Sequence, residues 1–109
     1  MAFEDDLKNA GLTEYEGKAY QVLLLHGDQS SREVAENSGV PVTRVFDVLE
    51  KLRNKGLVVL AVQHPFLWRA VDPAIGIRGL IKKKVSLYLR LEKGLISEAR
   101  KLTKMAKKG

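Results

Sequence analysis

The chain has 109 residues, of which 45% are apolar and 29% charged, enough for one modest core and too few for a two-domain enzyme. Nineteen Lys and Arg against thirteen Asp and Glu give a net charge of +6, which favours an anionic partner such as nucleic acid or a membrane surface. Cysteine is absent, which excludes disulfides, thiolate metal sites and thiol nucleophiles, and the longest apolar run, Leu57 to Val62, is too short to span a bilayer.

These features lead to the expectation of a cytoplasmic protein with no membrane partner. The charge is unevenly spread: residues 1–56 carry seven Lys and Arg against ten Asp and Glu, and residues 57–109 carry twelve against three. The C-terminal half is therefore the basic one.

In chain order, Phe3, Leu7 and Ala10 with Glu4, Asp5 and Asp6 predict a short helix that Gly11 stops. Thr13 and Glu16 have the spacing of a capping box, so a helix with apolar positions Tyr15, Ala19, Tyr20, Val22, Leu23 and Leu24 follows and ends at His26-Gly27. Ser30 and Glu33 repeat the box and open a short helix over Val34 and Ala35, ended by Ser38-Gly39. Pro41 suits a first helical turn, and Val45, Val48, Leu49 and Leu52 form one stripe before Asn54-Lys55-Gly56 closes that helix.

From Leu57 the period changes. Leu57 to Val62 and Phe66 to Val71 are β-prone runs separated by Gln63-His64-Pro65, which predicts a hairpin. After Asp72-Pro73 a helical period returns, with Ile81, Tyr88, Leu95 and Leu102 every seven residues and Val85, Leu91, Ala99 and Met105 near the seam between them. This long amphipathic helix contains Gly94, where a bend or fraying is expected at a cost of about 1 kcal/mol relative to alanine.

Two capped helices around a glycine turn, followed by a hairpin, are the order of a winged helix-turn-helix. The predicted fold is mostly α with one β-hairpin: residues 1–73 as the winged helix-turn-helix and residues 74–109 as a dimerisation helix. On the second helix of the motif, Thr43, Arg44, Asp47, Lys51 and Asn54 are assigned to the groove-facing side opposite the stripe, and Pro41 and Val42, at its start, are candidate DNA contacts with Thr43, Arg44, Asp47 and Lys51. Arg44 would pair with guanine O6 and N7 or with phosphate, and Thr43 with either or with a thymine methyl. Ser31 and Arg32, at the start of the preceding helix, suit a phosphate. Asp47 is read as an orienting partner of Arg44, which it would also neutralise as an ordinary exposed pair. Phe46 is read as core.

The segments Leu12-Thr13-Glu14-Tyr15-Glu16, Lys18-Ala19-Tyr20, Ser38-Gly39-Val40-Pro41, Arg44-Val45-Phe46-Asp47-Val48-Leu49, Lys55-Gly56-Leu57-Val58 and Arg69-Ala70-Val71 together resemble the N-terminal domain of the TrmB family of archaeal transcription regulators. The resemblance covers roughly the first seventy-five residues. It implies a winged-helix reader of double-stranded DNA that dimerises through a following coiled coil; larger family members add a sugar-binding effector domain. The wing departs from the family pattern, with Leu60, Phe66, Leu67 and Trp68, and Arg69, its one formal cation, is the wing's candidate DNA contact. An apolar wing points to contact with a protein of the transcription machinery, or to burial against the long helix.

Homodimerisation is expected through Ile81, Val85, Tyr88, Leu91, Leu95, Ala99 and Leu102, since a lone helix would leave that stripe in water; packing on Tyr15 and Tyr20 is the competing cover for part of it. Lys82-Lys83-Lys84 is open to three readings: DNA backbone, anionic lipid, or a solvated face. His26 and His64 read as a helix-end cation and a solvated turn residue. Neither a metal site, a cofactor motif nor a nucleophile-base constellation is expected.

Overall fold

A computed structural model describes residues 2–108 and divides them into α1 (Phe3–Asn9), α2 (Glu14–His26), α3 (Ser31–Ser38), α4 (Val42–Asn54), β1 (Val58–Gln63), β2 (Phe66–Ala70) and α5 (Pro73–Lys108). Both capping boxes form. The Thr13 hydroxyl accepts from the Glu16 amide and the Glu16 carboxylate from the Thr13 amide, and Ser30 and Glu33 do the same for α3. Gly39 ends α3 at φ 80° and ψ 2°, a left-handed conformation that costs glycine little and other residues more. It turns the chain into α4, whose predicted stripe of Val45, Val48, Leu49 and Leu52 is buried.

β1 and β2 pair antiparallel, with Leu60 opposite Trp68 and Val62 opposite Leu67, so Ala61 is an extra residue that bulges β1. The backbone N–H and C=O of Gln29 exchange hydrogen bonds with Trp68 at 3.1 and 2.7 Å, which ties the α2–α3 connection to the hairpin as a rudimentary third strand. The Gln29 side chain is buried and satisfied: its amide donates to the Val22 carbonyl at 2.8 Å, and its oxygen accepts from Asn37 at 2.7 Å.

The core gathers Leu23, Val34, Leu49, Leu52 and Leu57 around Tyr20 and Trp68, both at 0% exposure. Trp68 is thus neither a partner-facing wing residue nor a cover for the long helix. The wing's largest apolar side chain belongs to the helix-turn-helix core, and the apolar residues left exposed in the hairpin are Val59, Val62 and Phe66. Phe46 packs edge-on against Trp68 with ring centroids 5.6 Å apart, yet stays 50% exposed, so it lies on the core's rim instead of inside it.

α5 starts where Asp72 accepts a hydrogen bond from the Ala74 amide at 2.8 Å, with Pro73 in the first turn. Gly76 lets this turn approach the base of the hairpin: a Cβ there would lie 3.2 Å from the Gly56 carbonyl oxygen and 3.3 Å from a Leu57 methyl. Ile77 and Leu80 still touch the core. Beyond them the helix leaves it, and its 36 residues, about 54 Å at 1.5 Å each, account for a molecule measuring 66 × 28 × 23 Å. The helix continues through Gly94 without a break, so the fraying expected there does not occur.

Candidate nucleic-acid interface

α4 projects a solvent-facing side because its four buried residues are spaced to fill one arc of the helix, leaving Pro41, Val42, Thr43, Arg44, Asp47, Lys51 and Asn54 exposed. At 100° per residue the centre of that face is Thr43, Asp47, Glu50 and Asn54, with Arg44 on one flank and Phe46 on the other. Arg44 therefore lies on the flank of the exposed face, about a quarter-turn from the buried stripe, and not opposite the stripe as assigned from the sequence. Its guanidinium lies 5.7 Å from the centroid of the Tyr15 ring in the first turn of α2, where the π face attracts the charge. Thr13, Tyr15, Arg44, Asp47, Val48 and Lys51 line a shallow groove of about 210 Å³ between the two helices.

Asp47 does not orient Arg44. Its carboxylate sits 3.4 Å from Lys51, one helical turn on, and Glu50 is likewise 3.4 Å from Arg53. Lys55 caps this series from the end of α4, where its ammonium pairs with the buried Glu16 and donates to the Gly11 carbonyl oxygen at 3.1 Å. Sequence reasoning saw in Glu16 only a capping residue; its second duty, joining α1, α2 and α4, needs a lysine 39 positions away and leaves no local signal.

Ser31 and Arg32 stand side by side in the first turn of α3, half-buried and exposed respectively. Arg69 is elsewhere: its guanidinium makes two hydrogen bonds of 2.8 Å to Asp28, one to each carboxylate oxygen. Those bonds hold the Asp28 carboxyl below its ordinary pKa against the opposing loss of hydration, with the guanidinium's charge adding to the effect, and they raise the pKa of Arg69 in turn. The structure thus brings Thr43, Arg44, Asp47 and Lys51 onto one helix side, sets Ser31 and Arg32 on the adjacent helix, and commits Arg69 to bracing the wing. Among the described residues, Arg32 and Arg44 are the two arginines of the helix-turn-helix without a carboxylate partner.

The stripe proposed for pairing is uncovered. From Ile81 onward α5 exposes Ile81, Val85, Tyr88, Leu91, Leu95 and Leu102, with Tyr88, Leu95 and Leu102 each about two-thirds exposed, and Ala99 is open as well. Packing on Tyr15 and Tyr20 does not cover it. Among the described residues no group of three or more His, Asp and Glu could hold a metal ion, and no helix is long and apolar enough to cross a membrane.

Comparison with known proteins agrees with this geometry. The family model described as the sugar-specific transcriptional regulator TrmB matches residues 7–74. The HTH-type sugar sensing transcriptional regulator TrmBL1 of Pyrococcus furiosus is 38% identical over 87 residues, which cover 80% of this chain but 26% of that protein. The uncharacterized protein YrhO of Bacillus subtilis is 44% identical over 57 residues, 52% of this chain and 21% of its own length. The chain thus spans about a quarter of the curated relatives it matches. Among solved structures, that of TrmBL2, an archaeal chromatin protein with a novel mode of DNA binding, superposes with a TM-score of 0.69 at 31% identity, over 84% of this chain and 36% of that one. A MarR family protein from Bacillus stearothermophilus shares the fold at a TM-score of 0.55 and 22% identity, over 94% of this chain and 78% of that one. With the winged helix-turn-helix assembled from its capped helices, glycine turn and braced hairpin, and the family model covering it from within α1 to the start of α5, the chain belongs to the TrmB family of transcription regulators.

Proposed function

We propose that this chain is the DNA-reading part of a transcription regulator, binding double-stranded DNA as a homodimer. In this reading α4 enters the major groove, Arg44 and Thr43 contact base edges or adjacent phosphates, and Ser31 and Arg32 at the start of α3 hold the backbone. The observation that carries it is Arg44: an exposed guanidinium near the start of α4, unpaired with any carboxylate among the described residues and held at the Tyr15 ring. Pro41 and Val42 lead into that turn, and Asp47 with Lys51 forms a neutral pair beside it. We assign Arg69 to bracing the wing, since its donors are engaged by Asp28.

Dimerisation through the α5 stripe would cover the exposed Tyr88, Leu95 and Leu102 and join two copies of α4 in one molecule. A second reading, contact with a protein of the transcription machinery, draws on the exposed Val59, Val62 and Phe66 in the hairpin; that patch is compatible with DNA binding by α4. A fluorescence anisotropy titration of the intact chain against duplex DNA at two salt concentrations tests the primary reading. With roughly six to ten phosphates neutralised, affinity falls by about three to five orders of magnitude between 50 and 200 mM salt. Absence of binding at low salt, or binding indifferent to salt, contradicts it.

A further inference from the structure

The winged helix-turn-helix is poor in free positive charge. Residues 1–56 hold more acids than bases, and Lys51, Arg53, Lys55 and Arg69 are each engaged by a carboxylate. The excess lies on α5, and there it is ordered. Lys82, Arg90, Lys93, Arg100, Lys104 and Lys107 fall within about 100° of arc at 100° per residue, centred opposite the apolar stripe, over about 38 Å of helix. All six are exposed and none has an ion-pair partner among the described residues. The two acids of α5, Glu92 and Glu98, lie outside this arc, and Glu98 is taken by Lys101 at 3.1 Å. Between the cations the arc carries the small Ser86 and Ser97, with Leu89 at its edge.

We infer that the outer face of α5 is a second, sequence-independent DNA-binding surface that engages the phosphate backbone of duplex DNA and supplies most of the electrostatic attraction that the helix-turn-helix lacks. The inference rests on the DNA-reading role proposed above and assigns its charge to a different element. A duplex polyanion is the partner that an extended row of unpaired cations on one helix side fits, since each neutralised phosphate releases counterions wherever along the strand it lies, so the cations need no regular spacing. A membrane fits poorly. A helix lying in a bilayer surface buries its apolar side, and most of these cations stand on the far side of the helix, turned away from the headgroups. Pairing of the apolar stripe with a second copy would leave both cationic faces pointing outward.

The test compares the intact parent chain, Arg44→Ala, and a variant combining Arg90→Gln, Lys93→Gln, Arg100→Gln and Lys104→Gln, by anisotropy of a labelled random-sequence duplex across a salt series. Glutamine has nearly the helix propensity of lysine and arginine, and circular dichroism and light scattering check that helix content and oligomeric state match the parent. Should the quadruple variant be altered in either, Lys82→Gln with Lys107→Gln replaces it at the ends of the row, with a slope reduced by about one to two units. The expected result is a salt slope reduced by about two to four units in the quadruple variant, at about 0.9 unit for each phosphate left without its cation, while Arg44→Ala changes it by about one. An unchanged slope in the α5 variant, with Arg44→Ala impaired, overturns this inference and leaves the reader intact. The reverse pattern supports the inference and removes Arg44 as a phosphate contact; if Arg44→Ala also binds a selected duplex as tightly as the parent, it removes the reader as well. A parent chain that binds no duplex at low salt, or binds phosphatidylserine vesicles in its place, overturns both.

Discussion

Trp68 and Arg69 are adjacent in β2, and the pleat of the strand sends one into the core and the other to Asp28. Read as sequence, the pair looks like an apolar wing with one cation for phosphate; in the fold, the indole fills the space between α2, α4 and the hairpin, and the guanidinium fastens the wing to the α2–α3 connection. Trp68→Ala therefore lowers stability by about 3–5 kcal/mol, measured as a shift in the urea unfolding transition, where a partner-facing tryptophan would give almost none. Asp28 sets a pH dependence. Because its pKa is lowered in the folded chain, the stabilisation is present above the ordinary aspartate range and is lost as pH falls through the depressed value. Glu33 has the same sign, chiefly through the hydrogen bond from the Ser30 amide. Unfolding midpoints at pH 7 and pH 3 check this: the parent loses more on acidification than Asp28→Asn, which no longer has the carboxylate to protonate.

At the scale of elements, what was legible in the sequence was what neighbours decide. Capping boxes, glycine stops and apolar stripes act within one or two turns of chain, so α1 to α4 and the hairpin fall where Thr13, Ser30, Gly39 and the β-prone runs predict them. The differences at the candidate site and the wing concern partners distant in sequence, or a choice among near ones. Asp47 could reach Arg44 or Lys51, and Tyr15 on another helix tips the choice by drawing Arg44 away. Gln29 and Glu16 become buried polar hubs through Trp68, Asn37 and Lys55, which no local pattern announces. The α5 stripe was legible as a heptad, and its exposure beyond Leu80 sharpens the expectation: placing charge in the seam with Leu91→Lys and Leu95→Lys converts a dimer into a monomer, read as a halved mass in light scattering at micromolar concentration. A parent chain that is already monomeric there contradicts the pairing.

For the molecule as a whole, the globular domain has its cations largely paired and the long helix has its cations largely free, and on the proposed reading the first would supply recognition and the second attraction. The sequence carried this division in its lopsided charge, but which cations stay free depends on pairings made only in the fold. The central claim is that α4 reads DNA, and its most direct measurement is the affinity of Arg44→Ala relative to the parent on a selected duplex and on random duplexes, with circular dichroism confirming an unchanged fold. A loss of about 1–3 kcal/mol is predicted, concentrated on duplexes carrying the contacted guanine if Arg44 reads a base and uniform across sequences if it holds phosphate. An Arg44→Ala chain that is folded and binds every duplex as tightly as the parent would contradict it.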